Sequence, residues 1–261
     1  MLSRIKNRVL SRLARRKYAP DIAIDRAPRL VRLGSSYGGW TFEPSSDLQR
    51  STIVSCGLGE DASFDVDFAS AFQARVIIVD PTPRAITHFR EMQARAGQPA
   101  ATEYVKGGKQ PETAYDLQKV AADALILEPS ALWIENTRLK FYAPQNPDHV
   151  SHSITNIQGN SSQTDKYIEV PAVTLQTLMQ KYALAAIPLM KLDIEGAEGK
   201  VIQSALESRI FPGQILVEFD EMNFPSDQSK RSAEDTDRRL RQAGYKCRYF
   251  DGISNFLYTL R

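Results

Sequence analysis

The sequence predicts an α/β protein, with a doubly wound, mostly parallel sheet that ends in a C-terminal antiparallel hairpin. Three observations carry this. From Thr52 onward, short β-branched runs alternate with segments of helical period, the pattern of strand–helix–strand crossovers. The first of these strands leads straight into a glycine turn, Gly57-Leu58-Gly59. Near the end, two strand-like runs, 245–250 and 255–260, flank the turn pair Asp251-Gly252.

Composition sets the outer limits. At 261 residues the chain suits one large domain or a domain with appendages. Its 42% hydrophobic content and 23 aromatic residues can fill a core and exclude disorder throughout. Cys56 and Cys247 alone exclude a disulfide scaffold and suit a reducing, cytoplasmic setting. No apolar run approaches the ~20 residues of a membrane span. The formal charge of +2 conceals a split: residues 1–33 sum to +8 and the remainder to −6. The chain therefore divides into a basic segment, 1–33, and a body, 34–261.

Within the basic segment, residues 1–17 place Leu2, Ile5, Val9 and Leu13 at helical spacing among seven cations and no acid. Such a helix suits peripheral contact with an anionic membrane surface. An organelle transit segment, or a helix packed on the body, fits the same pattern. A secretory signal lacks its apolar stretch. Nucleic-acid binding lacks basic–aromatic interleaving and would meet an acidic body. Pro20, Pro28 and Gly34–Gly39 read as a linker.

The body then reads in order. Strands are expected at 52–56, 75–80, 139–142, 168–170, 189–195 and 215–220. Helices are expected at 64–72, 83–96, 173–182, 197–210 and 229–243. Thr82 is the N-cap of the second, with Pro83 at its first position. Residues 97–165, with Gly107-Gly108 and several prolines, read as an irregular region of substrate loops.

Gly57-Leu-Gly-Glu-Asp-Ala62 fits G-x-G-x-x-A after a strand, and Asp80 closes the next strand 21 residues after Gly59. That pairing suits a ribose-containing ligand, either a dinucleotide or S-adenosylmethionine, although a plain turn with a capping Asp has the same pattern. Glu60 and Asp61 add negative charge, which disfavours a pyrophosphate and favours a cationic sulfur ligand. The sharpest feature is Leu189-Met-Lys-Leu-Asp-Ile-Glu-Gly-Ala-Glu198. Strand alternation puts Lys191, Asp193 and Glu195 on one face at a strand's carboxyl end, where open α/β sheets bind ligands. Lys191 is expected to hold the Asp193 pKa down. A salt-bridged strand end explains the same residues without function. Glu218, Asp220 and Glu221 end the next strand and line the same crevice in this reading.

Only three histidines exist. His88 falls within a predicted helix. His149 and His152 lie in a polar loop, where His152 can take a proton from a hydroxyl or simply hydrogen-bond locally. No Cys–His spacing suggests zinc, and no G-x-S-x-G or P-loop supports a hydrolase or kinase.

Gly57–Phe64, Asp80-Pro-Thr-Pro83, Val173–Leu178 and above all Lys191–Glu198 resemble the FkbM family of S-adenosylmethionine-dependent methyltransferases. The resemblance spans about residues 50–225; the first loop departs from the family's glycine-alanine-asparagine-glycine type. It implies a Rossmann-like class I methyltransferase domain that methylates a hydroxyl on a sugar, glycan or small natural product. It also implies that Gly57, Gly59, Glu60, Asp61, Ser63, Asp80, Pro81 and Glu128 form the cofactor site, with Asp80 on the ribose and adenine near Glu128. Asp193 and Glu195 would face the methyl group and acceptor. Asp193, Glu195 or His152 would be the base, Asp193 first because it sits on a rigid strand; alternatively Asp193, Glu195 and Glu218 would hold Mg²⁺. Two other readings stay open. An NAD-dependent oxidoreductase could use Tyr245 and Lys246, and a silent module could be recruited by its basic segment.

Overall fold

The computed structural model describes Ala14, residues 17–142 and residues 166–260. A short hairpin comes first, β1 (Val31–Leu33) against β2 (Trp40–Phe42). The main sheet is built from β3 (Thr52–Cys56), β4 (Arg75–Val79) and β5 (Leu125–Glu128), then β9 (Leu189–Leu192), β10 (Gln214–Glu218), β11 (Tyr245–Phe250) and β12 (Asn255–Leu260). A small sheet separates the two groups: β6 (Ala131–Leu132), β7 (Thr137–Tyr142) and β8 (Tyr167–Val173). The helices are α1 (Ser63–Phe72), α2 (Pro83–Gln93), α3 (Leu175–Lys181), α4 (Glu198–Glu207) and α5 (Asp227–Gln242).

The seven-stranded order is β11-β12-β10-β9-β3-β4-β5. β10, β9, β3, β4 and β5 run parallel, whereas β12 is antiparallel to β10 and β11 to β12. The predicted class holds: a mostly parallel, Rossmann-like sheet ending in an antiparallel hairpin. The chain moves outward from β3 through β4 to β5, then returns to the other side of β3 with β9. β3 and β9 therefore flank the topological switch point, where open α/β sheets place their ligands.

Local chemistry sets the ends of the helices. Thr82 accepts a hydrogen bond from the Ala85 amide and Pro83 opens α2; Thr174 caps α3 in the same way. Ser226 and Ser229 form a reciprocal capping box at α5. α1 packs its phenylalanine row on the hairpin: Phe64, Phe68 and Phe72 surround Phe42, with ring centroids 5.6–6.3 Å from it. Between α3, α4, α5 and the other face of the sheet lies a second core, including Leu178, Val201, Leu240 and Phe256.

Several expectations shift. The strand expected at 189–195 stops at Leu192, because Glu195 (φ 56°) and Gly196 (φ 93°) take left-handed conformations that no strand continues through. Residues 168–170 grow into β8, whose Pro171 faces Arg138 at the end of the β7 pairing. The irregular region contains β5, a parallel core strand only four residues long. Gly34–Gly39 is not a linker. It is the turn of the β1–β2 hairpin, held by Arg32, whose guanidinium donates to the carbonyls of Ser35 and Gly39 at 2.8 and 3.1 Å.

Residues 21–25 lie along the C-terminal strands. The Asp25 amide donates to the Cys247 carbonyl at 2.8 Å, and Asp25 pairs with Lys246 and Arg248 at 3.0 and 3.3 Å. Among the described residues no helix is long and apolar enough to cross a membrane.

Candidate functional site

The site starts from backbone. β3 ends at Cys56 and turns at Gly57 (φ 86°); β9 ends beside it, and the Asp193 amide donates to the Cys56 carbonyl at 3.1 Å. A Cβ on Gly57 would stand 1.8 Å from the Asp193 carbonyl oxygen, so only glycine lets the two loops touch. The Lys191 ammonium, buried beneath the junction, donates to the Gly57 carbonyl and lies 5.6 Å from the Trp40 ring.

Most of the predicted acids are occupied within the chain. Asp80 is buried, with one oxygen accepting from the Leu58 and Gly59 amides at 2.9 and 3.0 Å. Its other oxygen accepts from the Thr82 amide and hydroxyl at 2.8 and 2.7 Å. Those four bonds make Asp80 the buckle of the glycine loop; Pro81 follows it at the loop's edge. Glu60 pairs with Arg84 and with Lys109, the latter at 2.9 Å. Burial alone would raise its pKa, but these two cations outweigh burial and hold the carboxyl below its usual range. Asp61 accepts from Ser35 Oγ at 2.6 Å, the Ser63 amide at 2.9 Å and Gln110 Nε2 at 3.2 Å. Ser63 Oγ accepts from the Ser35 amide at 2.7 Å. Glu60 is thus offset by two cations, whereas the donors to Asp61 are all uncharged.

Glu128 ends β5, with Lys181 at 2.6 Å, Tyr182 Oη at 2.8 Å and Ser130 Oγ at 2.9 Å. Burial would raise it, yet these donors keep its carboxyl low. Glu198, buried at the start of α4, accepts from the Ile194 amide at 2.8 Å and the Gly196 amide at 3.0 Å. It shapes the loop that carries Asp193. Glu218 accepts from Asn223 at 2.9 Å and Ser254 at 3.0 Å.

Asp193 differs from all of these. It is half-buried at the end of β9, and no described residue donates a hydrogen bond to its carboxylate. Burial first, then the Glu218 charge, push its pKa up to about 7 against the pull of Lys191. The expectation that Lys191 would keep Asp193 low is overturned: the ammonium is spent on the Gly57 carbonyl, and desolvation wins. Asp220 rises too, for burial and the same Glu218 neighbour. An unpartnered carboxylate with a pKa near neutrality can accept a proton from a hydroxyl or pair with a cation. Such an acceptor suits the ammonium or the sulfonium of S-adenosylmethionine. The Cys56 thiol nearby is pushed up to about 12 by burial and is inert at neutral pH.

Other candidates fall elsewhere. His149 and His152 lie outside the described residues. His88 is buried, hydrogen-bonded to Tyr115 Oη at 2.7 Å and kept neutral by desolvation. Tyr245 donates to the Pro212 carbonyl at 2.7 Å, and Lys246 pairs with Asp25, so both residues of edge strand β11 are engaged away from the β3–β9 switch point. Asp193, Glu195 and Glu218 do not converge as metal ligands. Among the described residues the one group of three ligand atoms within 4.8 Å is His88, Glu91 and Glu112, on α2 and the turn at 112–114. A surface hollow of about 600 Å³ between Asp21, Glu234, Asp237 and Arg241 lies by α5.

Sequence reasoning missed two loops. Ser35 and Gln110 both donate to Asp61 Oδ2, which ties the 34–39 turn and residues 105–110 to the glycine loop. Gln110, fully buried, also donates to the Val105 and Gly107 carbonyls at 3.0 and 2.9 Å. The available signal was the pair of glycine-rich stretches, Gly34–Gly39 and Gly107-Gly108, which read as punctuation instead of as surfaces of close approach.

Comparison with known proteins agrees with this geometry. The family model described as the methyltransferase FkbM domain matches residues 18–247, wider on both sides than the motifs themselves. No curated protein matches the chain.

Proposed function

The chain belongs to the FkbM methyltransferase family, and from that premise we propose that it moves a methyl group from S-adenosylmethionine to a hydroxyl oxygen, with Asp193 as the base. The acceptor is a sugar, a glycan or a small natural product. The observation that carries this is the Asp193 carboxylate: it stands at the end of β9 beside the glycine turn, receives no hydrogen bond from any described residue and has a near-neutral pKa.

When bound, S-adenosylmethionine supplies a methyl group already activated by its sulfonium. The chain's own task is positioning and proton removal. Asp80 fixes the glycine loop through the Leu58 and Gly59 amides, so the backbone at this turn is set before ligand arrives. Glu198 does the same for the Asp193 loop through the Ile194 and Gly196 amides. As the acceptor oxygen attacks, its proton passes to the Asp193 carboxylate, whose raised basicity comes from burial and from Glu218.

Calorimetry with S-adenosylhomocysteine and with NAD tests the cofactor. Binding of the first without the second is expected, and the reverse result refutes the reading. Mass spectrometry of glycan and metabolite pools treated with native protein or Asp193→Asn then tests the chemistry. A mass gain of one methylene equivalent is expected with native protein alone. The same gain with the variant removes Asp193 from its role.

A further inference from the structure

Tyr37 is an exposed aromatic residue, 69% accessible, at the tip of a turn that is otherwise tied down on all sides. Its amide and that of Gly38 donate to Ser35 Oγ at 3.1 and 2.9 Å, and that hydroxyl donates in turn to Asp61. One edge of its ring rests on the second loop: a Cβ on Gly108 would meet Tyr37 Cε1 at 2.8 Å. No other aromatic ring of the described residues packs on it. A fixed ring with an open face is not explained by folding, since a surface tyrosine gains little from such support.

Its surroundings are acidic. The turn that carries it is pinned by Ser35 to Asp61 of the glycine loop, whose Gly57 abuts Asp193; partial burial and the charges of Asp193, Glu218, Glu195 and Asp61 raise the Tyr37 phenol pKa in keeping with that position. An aromatic face beside carboxylates is the chemistry that recognises an organic cation, a sulfonium or an ammonium. A neutral thioether gains nothing from such a pairing.

Resting on the methyltransferase reading above, we infer that Tyr37 is a positioning residue whose ring, held by Gly108 and the Ser35–Asp61 pin, covers the cationic sulfonium end of the cofactor near Asp193. The two glycine-rich loops are then one device. Each supplies part of the support for a single aromatic wall, and Asp61 locks them together.

The test separates charge recognition from shape. Calorimetry compares S-adenosylmethionine, the cationic amine analogue sinefungin and neutral S-adenosylhomocysteine on native protein, Tyr37→Leu and Tyr37→Phe. Tyr37→Leu is expected to weaken both cations roughly three- to twenty-fold while S-adenosylhomocysteine changes less than about two-fold. Tyr37→Phe, which keeps the ring, is expected to restore the cation preference. Gly108→Ala, which displaces the ring without altering it, is expected to copy Tyr37→Leu. If all three ligands weaken equally in Tyr37→Leu, or none does, the inference is overturned while the methyltransferase reading stands. Native protein that binds none of the three overturns both. Unchanged thermal unfolding of the exposed Tyr37→Leu variant shows that any loss belongs to binding.

Discussion

Asp193→Asn separates what the site costs the fold from what it contributes to chemistry. The native carboxyl is pushed from an ordinary 3.8 to about 7, chiefly by burial and Glu218. The folded state thus holds this proton more tightly than the unfolded chain, so stability falls as pH rises from about 4 through 7. At ~1.4 kcal/mol per tenfold change, the full displacement sets an upper limit of ~4 kcal/mol. Asp193 is only half-buried, and water screens its charge, which brings the expected penalty to ~1–2 kcal/mol. Asparagine keeps the shape and removes the charge. Urea unfolding at pH 8 should find the variant more stable by about that amount, with the gap shrinking at pH 5 where more of the native carboxyl is protonated. In the same protein, methyl transfer should fall by roughly 10²–10⁴-fold, the usual contribution of a general base. A variant less stable than native at pH 8, or a gap independent of pH, refutes the electrostatic account. A retained transfer rate refutes the base.

Three further outcomes follow from the same geometry. The kcat/KM of methyl transfer should rise as pH increases through about 7 and then level off, as Asp193 loses its proton; a profile flat from pH 5 to 9 would show that another group does the work. Gly57→Ala forces a Cβ to 1.8 Å from the Asp193 carbonyl, so the β3 and β9 loops must part. Thermal unfolding should show a loss of ~3 kcal/mol or more, together with lost S-adenosylhomocysteine binding. Asp61→Ala strips the acceptor from Ser35, Ser63 and Gln110. Hydrogen exchange should then speed up at residues 34–39 and 105–110 together, and acceleration of one loop alone would contradict the pin.

Much of this was legible in the sequence, for identifiable reasons. The main-sheet strands β3, β4 and β10 are β-branched runs with a glycine or proline close to one end, β9 is a mostly apolar run that follows Pro188, and the terminal hairpin carries its own turn pair. Thr82-Pro83 announced α2 because cap and first-turn chemistry are local. What was hidden depends on contacts distant in sequence. β5 has four residues and no periodicity of its own; it is a strand because β4 pairs with it. Strand alternation extrapolated past Leu192 failed because Glu195 and Gly196 turn left-handed, supported by Glu198 from the next helix. The electrostatics were hardest to read. Glu60 and Asp61 looked alike, yet Glu60 is paired with Arg84 and Lys109 while Asp61 receives only the uncharged donors Ser35, Ser63 and Gln110, and Lys191, near Asp193 in sequence, donates to Gly57.

The pairing of β3 with β9 has a consequence for how the molecule is made. Lys191 reaches the Cys56 carbonyl across 135 residues of chain. A ribosome adding roughly 5–20 residues per second finishes β3 about 7–27 s before β9 exists. Through that interval one side of the central strand is an open row of backbone donors and acceptors, the kind of edge on which other chains can assemble. The segment synthesised in the meantime includes β4, β5 and the small sheet, so half of the sheet can order while the catalytic half is still missing. Chains interrupted before Leu189 would expose the β3 edge for good, and a quality-control system would meet them as candidates for aggregation.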